Sequence, residues 1–157
     1  MTFSHSTGTR GARKPGRVVR WFNGLALRRI RRRGGPVLGM RLLALTTVGR
    51  RSGAARTTPL AYFHGGPDRW YVVASANGAA TNPAWYLNLA ARPDEVEIVV
   101  DGETVPVRAR ELHDDERAQV WGRITTTSPQ FAKYERATDR HIPVIELTRR
   151  DGDAPSA

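Results

Sequence analysis

The sequence predicts a mainly β protein with short helices (α+β), a small barrel of about six antiparallel strands with short flanking helices. Three observations predict it. Apolar runs follow one another through turn peptides such as "GRRSG", "HGGPD" and "DGE", which are too short to hold a crossover helix. A doubly wound sheet would need a helix after every strand, so hairpin-joined runs favour a barrel. The 157 residues suffice for one domain with a real core and fall short of two.

Charge divides the chain. Residues 1–34 carry ten Lys or Arg and no Asp or Glu, so the net charge of +10 belongs to this arm and the remainder is balanced. Residues 1–16, rich in Ser, Thr, Gly and Arg, read as a disordered basic lead. Residues 17–34 read as a basic amphipathic helix. At about 100° per residue, Val18, Val19, Trp21, Phe22, Leu25, Ala26 and Ile30 share one half of the wheel, and Arg17, Arg20, Arg28 and Arg31 the other. The "GGP" at 34–36 ends it. Two fates stay open for this helix: packing on the barrel, or lying on an anionic membrane surface. Non-specific contact with nucleic acid is also open to such an arm; specific nucleic-acid binding is not expected.

The barrel is expected over 36–150. Met40–Thr47, Ala55–Phe63 and Arg69–Ser75 read as strands. "NPAWYLNLAARP" reads as a helix with Asn82 as N-cap and Pro83 at its first position, stopped by Pro93. Val96–Val100 and Thr104–Leu112 flank the Asp-Gly turn. Asp114–Thr125 and Pro129–Thr138 read as helices, Pro143–Thr148 as the last strand, and 151–157 as a disordered tail. No stretch approaches the roughly 20 apolar residues of a membrane span, so a cytoplasmic protein is expected, peripheral on the inner membrane face if the arm binds lipid. A monomer is favoured.

The chemistry is narrowed by what is missing. With no cysteine there are no disulfides, iron–sulfur clusters or Cys-type zinc sites. The four histidines lie far apart in sequence, and no metal site is expected. GxGxxG, Walker A and GxSxG signatures are absent. What stands out is "VGRRSGAARTTPL", residues 48–60. Arg50, Arg51 and Arg56 carry fixed charge on planar forks suited to phosphate or carboxylate, Ser52 adds a hydroxyl, and Gly49 and Gly53 allow close backbone approach. Alone, such a pentapeptide describes a solvated turn. A second donor-rich stretch, "ASANGAATNPAWYLNL", places small residues beside a helix N-terminus, which attracts anions. Together the two would line a groove for a long polyanion.

"LLALTTVGRRSGAARTTPLAYF", "ASANGAATNPAWYLNL" and "TDRHIPVIELTR" resemble the deazaflavin (F420)-dependent nitroreductase and quinone reductase family of actinobacteria, over about residues 36–148. The resemblance implies a split β-barrel, coenzyme F420 as cofactor and hydride transfer to a quinone or similar planar acceptor. It implies that Arg50, Arg51, Ser52 and Arg56 hold the cofactor phosphate and tail carboxylates, and that Thr58 and Pro59 lie against its ring. Ala74, Ser75, Ala76, Asn77 and Gly78 would supply backbone contacts, Asn82 and Pro83 the helix start, and Trp85 one wall. Ser75 and Tyr134 are the candidate proton donors. Ala61, Ser128, Phe131, Tyr134 and Ala137 would line the acceptor pocket. Relatives carry aromatics at several of these positions, so a wider, less polar pocket is expected here. A carrier or sensor binding the deazaflavin or another flavin without turnover, and a basic membrane- or nucleic-acid-binding module, are the alternatives.

Overall fold

A computed structural model describes residues 3–12, 17–32, 36–37 and 40–150, with side chains at all of these except 17–23, 36, 37 and 77. The expected tail at 151–157, residues 13–16 of the expected lead, the glycines of the "GGP" stop, and the side chains of Val18, Val19, Trp21 and Phe22 lie outside the described residues.

The strands are β1 (Pro36–Val37), β2 (Met40–Val48), β3 (Ala55–Ala61), β4 (Phe63–His64), β5 (Arg69–Val73), β6 (Val96–Val100), β7 (Glu103–Glu111) and β8 (Val144–Arg149). The helices are α1 (Arg17–Arg32), α2 (Ala84–Ala91), α3 (Asp114–Thr127) and α4 (Gln130–Ala137), with a 3-10 turn at Ala76–Gly78. All pairings are antiparallel, in the order β1-β2-β6-β7-β8-β5-β4, with β3 on β2. The expected strand Ala55–Phe63 is interrupted at Tyr62. That residue joins β3, on one side of the sheet, directly to β4 on the other, so the chain itself draws the curled sheet towards closure. The Asp-Gly turn forms as expected, with Asp101 and Gly102 both at positive φ (50° and 77°), the pattern that matches strand twist in a tight hairpin.

Alternation on β5 shows how the core divides. Trp70 and Val72 point into the barrel with Leu43, Leu45 and Ile98, whereas Tyr71 and Val73 point outward beneath α3 and α4 with Trp121, Ile124 and Phe131. Helix α2 contributes Trp85, Tyr86 and Leu89 to the barrel cluster. Helix α1 packs against β2, β3 and β6, burying Ala26 and Ile30 (6% and 1% exposed) and turning Arg28, Arg29, Arg31 and Arg32 outward. Barrel packing, one of the two fates left open for it, is observed, and the arginines stay on the outer face.

Residues 3–12 differ from the disordered lead expected of them. The Gly8 and Ala12 N–H groups donate to the carbonyls of Ala80 and Gly78, Ser4 N–H to Glu111, His5 N–H to the Tyr86 hydroxyl, and Ser6 Oγ to the His141 carbonyl. Phe3 lies edge-on to Tyr86 at 5.9 Å. A polar, glycine-rich strap has little apolar surface of its own to order it, so its position is set by acceptors elsewhere in the fold.

Candidate functional site

The arginine turn is shaped by its glycines and held from behind by α2. Gly53 has φ +71°, a conformation that disfavours a side chain, and a Cβ on Gly49 would stand 2.6 Å from Ser52 Oγ. That hydroxyl accepts the Ala54 N–H at 3.2 Å, so Ser52 first closes the turn and keeps only its own O–H to offer. Asn88 of α2, 5% exposed, accepts the Arg50 backbone N–H at 3.1 Å and its guanidinium at 3.4 Å, and reaches back to Thr47 Oγ1. Asn88 was not expected in the site. It sits in an apolar helix with no neighbouring motif, and only the folded position of the turn gives it a role.

The result is a cleft of about 590 Å³ lined by Arg50, Arg51, Ser52, Arg56, Thr58 and Trp85, among others. All these were expected together, and the structure brings them together. Among the described residues no Asp or Glu lines the cleft. Among the described residues, none of the three arginines pairs with a carboxylate.

The second stretch is built differently from expectation. Helix α2 begins one residue later, with Pro83 at the cap and no side-chain capping bond, so Asn82 is not an N-cap and offers no anion site as one. Its side chain is 4% exposed and bridges two partners: Nδ2 donates to the Ser6 carbonyl at 2.8 Å, and Oδ1 accepts from Arg140. Asn82, Pro83, Pro59 and residues 74–78 do not line the cleft. The carbonyls of Ala74 and Ser75 are taken by Arg140, at 3.1 and 2.8 Å, and so is that of Ala79, at 2.9 Å. Arg140 is 3% exposed and its cation is held by neutral oxygens alone, with burial lowering its pKa. It fixes the 74–82 segment, in which Ala76 adopts φ +46°, and no local pattern in "TDRHIP" discloses that role. Gly78, at φ +82°, lies where a Cβ would stand 2.9 Å from Ala137 Cβ and 3.1 Å from the Tyr134 carbonyl, so this turn is seated on α4.

A second cavity, of about 500 Å³, opens further along β3. Of the expected acceptor-pocket residues, Ala61, Ser128 and Phe131 line it. Tyr134 and Ala137 do not; they stand against the Gly78 turn, with Tyr134 edge-on behind Phe131 at 5.6 Å. The cavity also carries polar groups that were not expected in it. Tyr62 and Tyr71 supply hydroxyl-bearing rings, and Arg41, His64 and Arg123 bring cationic and imidazole groups. Burial pushes the Tyr62 hydroxyl pKa up. None of these was read as a site residue, because they come from β2, β4, β5, α3 and the link after β3, and no short motif joins them. Thr58 in the cleft and Ala61 in the cavity are three strand residues apart, about 10 Å. One strand thus runs from a cationic cleft to an aromatic cavity.

Among the described residues no cluster of three His, Asp or Glu is placed to hold a metal, and no helix is long and apolar enough to cross a membrane.

Comparison with known proteins places this arrangement. The family model described as F420H(2)-dependent quinone reductase matches residues 19–149. An F420H(2)-dependent quinone reductase of Mycobacterium tuberculosis is 39% identical over 111 residues, 69% of this chain and 73% of that protein. The solved structure of an F420-H2 dependent reductase, FDR-A, superposes with a TM-score of 0.62 at 34% identity, covering 73% of this chain and 99% of the other. A further structure, described as a domain-swapped dimer, gives 0.63 at 30% identity, covering 83% and 99%.

Proposed function

The chain belongs to the F420H(2)-dependent quinone reductase family, and on that premise we propose that it is an oxidoreductase that passes a hydride from reduced coenzyme F420 to a quinone or similar planar acceptor. The observation that carries this reading is the un-neutralised arginine cleft continued by β3 into an aromatic cavity. The donor set fits the coenzyme's anionic portion: three guanidinium forks with no carboxylate among them suit a phosphate and tail carboxylates.

Arg50, Arg51 and Arg56 bind the anionic part in this reading, with Asn88 keeping Arg50 in place. Thr58 lies along the ring and Trp85 closes one side, while Pro59 and the Arg140-held residues 74–78, which do not line the cleft, would reach only a part of the coenzyme that extends beyond it. When bound, the reduced deazaflavin supplies a hydride from a ring carbon. The work of the protein is to keep the acceptor in the cavity by Ala61 and Phe131, about 3–3.5 Å from that carbon, and to exclude water. Tyr134, one ring behind Phe131, and Ser75, on the Arg140-held segment, are our candidates to hold the proton that completes reduction, directly or through a water.

Two finer readings belong with this one. The exposed Arg28, Arg29, Arg31 and Arg32, beside Leu25 at 46% exposure, suit a peripheral position on an anionic leaflet from the cytoplasmic side. Sedimentation with anionic but not neutral vesicles, abolished by salt, tests it. A monomer is our proposed state, and a solution mass measurement decides between it and the swapped dimer of the relative.

The central experiment has two arms. Titration of oxidised coenzyme F420 should quench tryptophan fluorescence, and quinones should oxidise the reduced coenzyme in the presence of the protein. Tight binding with no oxidation by any quinone would replace the enzyme with a carrier or sensor.

A further inference from the structure

We infer that the second cavity selects acceptors that carry an anionic group, a carboxylate, sulfonate or phosphate, at one edge of a planar aromatic body. This deepens the quinone reductase reading and rests on it. The cavity has two kinds of wall. Its inner surface is aromatic: Tyr62 and Tyr71 are 5% and 6% exposed, and Phe63 meets Phe131 edge-on at 5.7 Å. Such a slot admits a flat ring system and says nothing of its charge.

The remaining wall is cationic. Arg41 enters from β2 and Arg123 from α3, both exposed. Arg41 Nη1 lies 3.3 Å from His64 Nε2, and the Arg123 guanidinium stands 5.9 Å from the Tyr71 ring centre. Among the described residues no Asp or Glu lines the cavity, and neither arginine pairs with a carboxylate. A neutral quinone offers such groups only the charge that develops on its oxygen during hydride transfer, whereas an anionic substituent offers a full charge on binding. Two fixed cations over low-dielectric aromatic walls create a local positive potential that concentrates anions. Their planar forks fit the oxygens of a carboxylate, sulfonate or phosphate. Placed at the mouth, they would draw in the charged edge and leave the ring to enter first. The reaction is unchanged: the quinone gains a hydride and a proton and leaves as the quinol, and the reduced coenzyme is returned oxidised.

The test compares two naphthoquinones on the full chain, 1,4-naphthoquinone-2-sulfonate and the neutral 2-methyl-1,4-naphthoquinone. Because their intrinsic reactivities differ, the readout is the ratio of their kcat/KM values, followed through Arg41→Gln, Arg123→Gln and the double variant. Each single change should lower the sulfonate-to-neutral ratio about tenfold, mainly through KM for the sulfonate, and the double variant should lower it further. Arg108→Gln, which removes a surface arginine paired with Asp94 and outside the cavity, should leave the ratio unchanged. A ratio that stays level in all three cavity variants overturns the inference and leaves the quinone reductase intact. Should the wild type turn over neither quinone, binding of the sulfonate, followed by tryptophan fluorescence, decides. Arginine-dependent binding would uphold the anion site and its absence would overturn the inference, while the enzyme reading falls only if no quinone oxidises the reduced coenzyme.

Discussion

Arginines in two parts of the barrel have different neighbours. On the β7–β8 flank, Arg110 forks onto Glu116 at 2.9 Å and also meets Glu146, and Arg149 joins Asp68 at 2.8 Å and Glu103 at 3.2 Å. Around β2, β3 and α3, Arg41, Arg50, Arg51, Arg56 and Arg123 have no carboxylate partner among the described residues, and they border cavities. The same residue type therefore fastens strands where an acid opposes it, and leaves its charge for something else where none does. Arg140 forms a third kind, a buried cation coordinated by carbonyls, which organises backbone.

This contrast can be broken at graded cost. The largest effect is expected from Arg140→Met, which leaves several buried oxygens without a donor. Urea unfolding should show a loss of about 3 kcal/mol or more, and coenzyme affinity should fall with it because the 74–82 segment loses its anchor. Next come Arg51→Ala and Arg56→Ala, each weakening coenzyme binding by about 1.5–3 kcal/mol while folding stability stays within about 0.5 kcal/mol. Unchanged affinity in both would remove the anion site. Arg110→Ala should do the reverse: about 1–2 kcal/mol lost from folding, because the buried Glu146 loses a cation while the Glu116 contact is exposed and screened, and no change in coenzyme affinity.

The smallest effect concerns the strap. The Thr9 hydroxyl and the Arg10 and Thr9 N–H groups hold the Asp139 carboxyl at a pKa of about 2, below its ordinary 3.8. A depressed carboxylate pKa favours the attached strap above about pH 4, and this contribution disappears as pH falls through about 2. Amide protection across residues 3–12, corrected for intrinsic exchange, should decline over that window, and Asp139→Asn should flatten the decline. Protection that is independent of pH in the wild type would show that the strap is held by its other bonds.

Legibility followed the range of the interactions. The alternation of β5, β6 and β7, the Asp101–Gly102 hairpin and the arginine turn are set by neighbours along the chain, and each was readable. Asn82 was misread because "NP" before an apolar helix is a strong local capping signal, and Arg140, 58 residues away, claims the side chain instead. The strap was misread for a related reason. A Gly- and Ser-rich peptide has no periodicity to betray order, and its partners Glu111 and Asp139 lie over a hundred residues on. Arg41 and Arg123 belong to no shared motif, and nothing along the chain links them.

The sequence by itself determined the strand-rich class, the segregation of positive charge into the N-terminal arm and the cationic turn between two strands, because these depend on period, composition and turn chemistry. The tertiary structure alone decided that α1 packs on the sheet, that Arg140 holds the second stretch by its carbonyls, and that Arg41 and Arg123 line one cavity. Such pairings depend on which distant groups the sheet's curl brings within hydrogen-bonding or contact distance, and no local pattern encodes that distance.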